Sequence, residues 1–108
     1  MDLKNKTVMV VGTGISGIGA VDLLNKVGAD CILYDGNEKL DRQKVKEKLG
    51  DNKAEIIIGA FDEALLSKID LLVISPGVPI DSPIVLTFKN AGIPVSVSYT
   101  HLRAHETT

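Results

Sequence analysis

Apolar and polar positions alternate along this chain in blocks. Thr7 to Val11 is a β-branched and apolar run with no polar break, the pattern of a strand covered on both faces. Ile18, Val21, Leu24 and Val27 then recur at helical spacing from Ile15 to Val27, and Gly28 supplies a C-terminal stop. Asp30–Tyr34 reads as a second strand that runs out at Asp35-Gly36-Asn37. Lys39 to Leu49 has the composition of a solvent-facing helix stopped by Gly50. Glu55–Ile58 reads as a third strand, Phe61–Ser67 as a short helix and Leu71–Ile74 as a fourth strand. After the turn Ser75-Pro76-Gly77-Val78-Pro79, a helix is expected from Ser82 to Ala91, with Ser82 as its N-cap and Pro83 at its first position. Gly92 ends that helix, and Ile93–Val97 reads as a fifth strand.

Strands alternating with helices at this spacing predict an α/β fold. The expected architecture is a Rossmann-like parallel sheet of about five strands in the order 3-2-1-4-5, with helices on both faces. Its domain is expected over residues 1–97. Residues 98–108 break from this pattern: they hold both histidines, one of the two tyrosines and only two aliphatic side chains. They read as a non-native tail, frayed or loosely helical.

Composition narrows the field. The chain has 108 residues, enough for one compact domain, with 44% hydrophobic and 24% charged residues. A formal charge of −2 argues against a nucleic-acid partner, which selects a basic face. No apolar run approaches the ~20 residues of a membrane span, and the amino terminus lacks a signal-peptide core. A single cysteine, Cys31, has no internal disulfide partner. Together these features predict a cytoplasmic protein.

Chemistry concentrates at three turns. Gly12-Thr13-Gly14-Ile15-Ser16-Gly17 has the G-x-G-x-x-G spacing, follows a strand and opens a helix. Gly12 permits a tight turn, Gly14 admits a pyrophosphate close to the backbone, and Gly17 allows close helix–strand packing. Helix N–H groups and partial positive charge then face the phosphates. Asp35, at the tip of the second strand, can accept from ribose hydroxyls or a base N–H. It can equally serve as a turn residue that binds its own backbone. Ser75-Pro76-Gly77 ends the fourth strand beside strand 1, where ligands collect, and either touches a phosphate or sugar or simply ends the strand. Cys31 reads as a small buried hydrophobe, since no histidine outside the tail could activate it. His101 and His105 are spaced to share a helix face as metal ligands, but within the tail no metal site is expected. The mixed-sign run from Lys39 to Lys48 reads as a solvated face.

The stretches Val10–Gly17, Tyr34-Asp35, Ile74–Pro79 and Ala91–Val95 resemble the N-terminal domain of the Mur ligases, and among them the D-glutamate-adding enzyme of peptidoglycan synthesis. The resemblance covers about Leu3 to Val95. The Ser-Pro-Gly turn with the downstream Gly-Ile-Pro is more specific than the glycine turn, which nicotinamide dehydrogenases share. It implies a domain that holds UDP-N-acetylmuramoyl-L-alanine. Gly14, Ile15, Ser16 and Gly17 would cradle the diphosphate, Asp35, Gly36 and Asn37 the uridine end, and Ser75 and Gly77 would border diphosphate and sugar. It further implies an enzyme that uses ATP and Mg²⁺ to form an acyl phosphate, which the D-glutamate amine attacks. No G-x-x-x-x-G-K-[ST] loop occurs in the 108 residues, and the ligase's metal-binding acids and amino-acid domain are missing. The expectation is therefore a fragment that binds substrate nucleotide, holds no cofactor or catalytic residue of its own, and is inactive alone. The competing reading is an NAD(P)-binding domain of an oxidoreductase or redox sensor, which the same glycine turn and Asp35 would serve.

Overall fold

In the computed structural model, residues 3–75 and 77–97 are described, with the backbone alone at Ile15 and Ser16. The elements follow in the order β1 (Thr7–Val11), α1 (Ile15–Lys26), β2 (Asp30–Asp35), α2 (Arg42–Leu49), β3 (Glu55–Ile58), a 3-10 helix (Glu63–Lys68), β4 (Leu71–Ile74), α3 (Pro83–Asn90) and β5 (Val95–Val97). The five strands form one sheet in the order β3-β2-β1-β4-β5, and every pairing is parallel. Met9 lies opposite Ile32 on one side and Leu72 on the other, so β1 is the central strand.

Successive residues of a strand point to opposite faces, and β1 divides its side chains accordingly. Val8 and Val10 face α1 and α2, packing with Val21, Leu24, Val45 and Leu49. Met9 and Val11 face α3 and the 3-10 helix, packing with Val85, Phe88, Leu65 and Leu66. Helices therefore cover both faces, which is why the central strands β1 and β4 lack polar alternation. Phe61 joins the second cluster between two rings, edge-on to Tyr34 at 5.8 Å and tilted against Phe88 at 5.3 Å between centroids.

Several boundaries differ from the expectation. Helix α2 begins at Arg42 and not Lys39, because Asp41 is its N-cap and accepts from the Gln43 N–H at 2.9 Å. The preceding residues form an Asx turn in which Asn37 Oδ1 accepts from the Lys39 N–H. The short helix at 61–67 is a 3-10 turn over Glu63–Lys68, capped by Asp62. Val27 does not extend the buried stripe of α1. It occupies the C-cap and is 51% exposed. Ser82 does take the N-cap position of α3, but its hydroxyl makes no capping bond and is buried without a partner. Strand β5 starts at Val95 because Ile93 is held back by α3, its N–H donating to the Phe88 carbonyl. The tail residues 98–108, with His101 and His105, lie outside the described residues.

Candidate functional site

The strand order reverses between β1 and β4, and the three singled-out turns leave the carboxyl ends of β1, β2 and β4. In an open parallel sheet this edge is where a crevice forms. Hydrogen bonds stitch the strand ends together. The Gly12 N–H donates to the Tyr34 carbonyl at 2.8 Å, and the Ser75 N–H to the Val11 carbonyl at 3.3 Å. The Gly59 N–H donates to the Asp35 carbonyl at 2.8 Å, while the buried Tyr34 hydroxyl reaches the Gly59 carbonyl at 2.7 Å. Burial raises the pKa of that phenol above its usual value, and the Asp35 charge adds to the shift.

The three glycines of the turn have distinct reasons. Gly12 has φ +108°, and a Cβ there would sit 2.7 Å from Ser75 Oγ. A Cβ on Gly17 would collide with the Gly12 carbonyl, so its absence lets α1 start tight against β1. Gly14 differs from both. It is exposed, has an ordinary φ of −77°, and a Cβ there would meet no atom within 4 Å. No described side chain or backbone crowds that position, so the space beside it is open, and its place as a helix N-cap is one that glycine suits. Gly14 is also the N-cap of α1, offers no side-chain acceptor to the first-turn N–H groups, and is followed by a first turn with no acidic residue. That end of α1 is suited to an anion.

Asp35 realises the turn reading and leaves room for the other. Its Oδ1 accepts from the Asn37 N–H at 2.9 Å. Its Oδ2 accepts from both the N–H and the hydroxyl of Thr13, at 3.3 and 3.0 Å. Thr13 is the buried polar side chain among the described residues, 6% exposed. The sequence reading passed over it as the unspecified residue between two glycines. Its signal was a hydroxyl in an otherwise apolar and glycine stretch, placed opposite the tip of β2. Gly36 and Asn37 are exposed beside Asp35, as is Gly77 across the edge.

Ser75 is more constrained than the sequence suggests. Its hydroxyl gives its one hydrogen to the Val11 carbonyl at 3.1 Å, so toward a ligand it has only lone pairs. It is therefore a wall for Gly12 and a tie between β4 and β1, and a poor donor to a phosphate. The backbone of Ile15 and Ser16 forms the first turn of α1; their side chains and Pro76 lie outside the described residues.

Cys31 lies elsewhere, buried at the start of β2. Burial pushes its thiol up to about 11, the Asp30 charge adds to this, and the Asn25 amide at 3.7 Å from Sγ works against it. An open groove of about 480 Å³ there is lined by Asn25, Asp30, Lys53 and Glu55. It opens at the amino ends of β2 and β3, the edge of the sheet opposite the glycine turn. No helix among the described residues is long and apolar enough to cross a membrane.

Comparison with known proteins adds to this geometry. Two solved structures share the fold, each at low sequence identity. Shikimate dehydrogenase of Aquifex aeolicus superposes with a TM-score of 0.58 at 16% identity, over 94% of this chain and 45% of its own. A chorismate mutase/shikimate 5-dehydrogenase fusion of Clostridium acetobutylicum gives 0.59 at 17% identity, over 90% and 43%. The sequence relatives are nearer. The UDP-N-acetylmuramoylalanine–D-glutamate ligase of Lachnospira eligens is 99% identical over 95 residues, which are 88% of this chain and 21% of that protein. The ligase of the same name from Lachnoclostridium phytofermentans is 45% identical over 96 residues, again 88% and 21%. The chain thus spans about a fifth of the length of these curated relatives. Residues 6–97, all but the ends, match the family described as Mur ligase MurD-like, N-terminal domain, and to that family this chain belongs.

Proposed function

We propose that this chain is the substrate-nucleotide module of an ATP-dependent ligase that adds D-glutamate to UDP-N-acetylmuramoyl-L-alanine in the cytoplasm. Family membership supports the reaction class, and the geometry of the glycine turn supports the role. The single observation that carries it is Gly14: an exposed glycine at a helix N-cap, with open space where a side chain would stand, at the switch point of the sheet. The backbone from Gly14 to Gly17 takes the diphosphate. Asp35, Gly36 and Asn37 take the uridine end, and Ser75 and Gly77 border diphosphate and sugar by shape. The domain of this reading covers residues 1–97. ATP and Mg²⁺ act on the carboxylate of the bound substrate from other parts of the full-length ligase. This module supplies binding and orientation, and by itself no turnover.

Calorimetric titration with UDP-N-acetylmuramoyl-L-alanine, UDP and NADH tests the reading. Saturable binding of both uridine nucleotides with no heat from NADH is the expected result. Saturable binding of NADH with no response to either uridine nucleotide overturns it in favour of a dinucleotide domain. A chain that stays folded and binds none of the three overturns the binding role altogether. A ligand that binds only the folded state must raise its melting temperature, so thermal unfolding gives an independent readout.

A further inference from the structure

We propose that Thr13 determines how Asp35 reads a nucleotide, by limiting that carboxylate to one hydrogen bond from the ligand. The inference rests on the uridine-diphosphate reading of the site and deepens it. An ionised carboxylate offers about four lone-pair positions, two on each oxygen. Oδ2 of Asp35 receives the Thr13 N–H at 3.3 Å and the Thr13 hydroxyl at 3.0 Å, which fills it. Oδ1 receives the Asn37 N–H at 2.9 Å. Among the described residues no other group donates to this carboxylate, and one position on Oδ1 remains.

A ribose presents two neighbouring hydroxyls, and a carboxylate with an open position on each oxygen can grip both. Thr13 closes that option. Thr13 is 6% exposed, and the backbone on either side of it is tied by the Gly12 N–H to the Tyr34 carbonyl and by the Gly14 carbonyl to the Ile18 N–H, so the hydroxyl is fixed where it donates. The carboxylate is fixed in turn, from Oδ2 by Thr13 and from Oδ1 by its own turn. What remains accepts a single donor: one ribose hydroxyl, or the uracil N3–H. A residue without a hydroxyl at position 13 would leave Oδ2 with the backbone N–H alone and restore a second open position. Thr13 is thus a positioning residue, acting through Asp35.

The test is calorimetric titration of the whole chain with UDP, 2′-deoxy-UDP, 3′-deoxy-UDP and N3-methyl-UDP. Thr13→Val, Thr13→Ser and Asp35→Asn are compared with the unaltered chain, and pyrophosphate serves as a ligand that touches the glycine turn alone. In the unaltered chain one of the three analogues should lose about 10- to 100-fold in affinity, the range for one hydrogen bond to a charged group, and Asp35→Asn should remove that difference. Thr13→Val should change the pattern, penalising a second analogue or releasing the first, and Thr13→Ser should restore it. Pyrophosphate affinity should be the same in all four proteins. Two analogues penalised in the unaltered chain, both through Asp35, would overturn this inference alone. So would an unchanged pattern in Thr13→Val, or a pyrophosphate loss equal to the UDP loss. Failure of UDP to bind the unaltered chain would overturn the site reading and this inference with it. If Thr13→Val does not fold, the comparison of the unaltered chain with Asp35→Asn still counts the donors.

Discussion

At Gly17 a single methyl group would reach the carbonyl of Gly12, while at Gly14 it would reach nothing. The two positions look alike in the motif and should behave oppositely when changed to alanine. Gly17→Ala forces α1 away from β1 and should cost about 1–3 kcal/mol, the range for overpacking a tight contact, read as a lower midpoint in urea. Gly14→Ala should change stability by less than about 1 kcal/mol, since glycine is a moderate cap and alanine a poorer one. Its effect belongs in binding: UDP affinity should fall while the unfolding curve stays close to that of the unaltered chain. Equal damage to stability from both substitutions would remove the reason for assigning Gly14 to a ligand. The same scale holds the least legible part of the site. Thr13 and Asp35 are 22 positions apart, and no local pattern links a residue inside a glycine turn to a strand tip on the next element. Asp35 was visible as an acid in the right place. Its partner became visible only when the register Val11 opposite Tyr34 brought the two turns side by side.

Elements show the opposite balance. The bounds of β1, β3 and β4 are those read from the sequence; in β4, at the middle of the sheet, all four residues are apolar, so no polar residue blurs its ends. Helix α2 was less legible: its charged run carries little periodicity, and only the Asp41 cap fixes where it begins. Val27 fits the helical spacing and still escapes the core, because α1 ends one residue before it. The strand ends also depend on lateral ties that spacing does not encode. The Tyr34 hydroxyl holds the Gly59 carbonyl in a buried bond, linking β2 to the turn after β3. Tyr34→Phe keeps the ring contact with Phe61 and strands that carbonyl, so a loss of about 1–3 kcal/mol is expected in denaturant unfolding. Because the Gly59 N–H also donates to the Asp35 carbonyl, the same variant should loosen the Asp35 turn, read as faster amide exchange at Gly59. Unchanged exchange there would show that the Asp35 turn holds without the phenol.

For the molecule as a whole, two half-cores divided by one sheet carry the stability. Phe88 is fully buried, the largest such side chain among the described residues, and it joins α3 to the sheet through Phe61. Phe88→Ala should cost about 3–5 kcal/mol, a large share of the 5–15 kcal/mol typical of a domain, so partial unfolding near room temperature is expected by circular dichroism. Alkaline stability has a sign set by Cys31. Its thiol sits at about 11 in the fold against an ordinary 9.0, raised first by burial and then by Asp30. Below pH 9 both folded and unfolded chains keep the proton, and the full contribution is present. Between 9 and 11 the unfolded chain loses its proton first, so stability falls as pH rises, and above 11 the effect levels off. Tyr34, raised in the same direction, steepens the fall above pH 10. Urea midpoints at pH 8 and 10 should therefore differ more in the unaltered chain than in Cys31→Ala.

The burial of Cys31 has one more use. The chain carries a single sulfhydryl, placed at the start of β2 beneath the end of α1, and its thiolate is scarce at neutral pH. An alkylating reagent that consumes only thiolate reacts slowly with the closed fold and faster whenever the fold parts. The time course of one covalent label then becomes a clock for opening of the sheet, read by mass on the native chain. Because the clock lies at the amino edge and the proposed nucleotide site at the carboxyl edge, a ligand bound there would not shield the sulfur directly. Saturating UDP should slow the clock all the same, by holding closed the fold that both edges share.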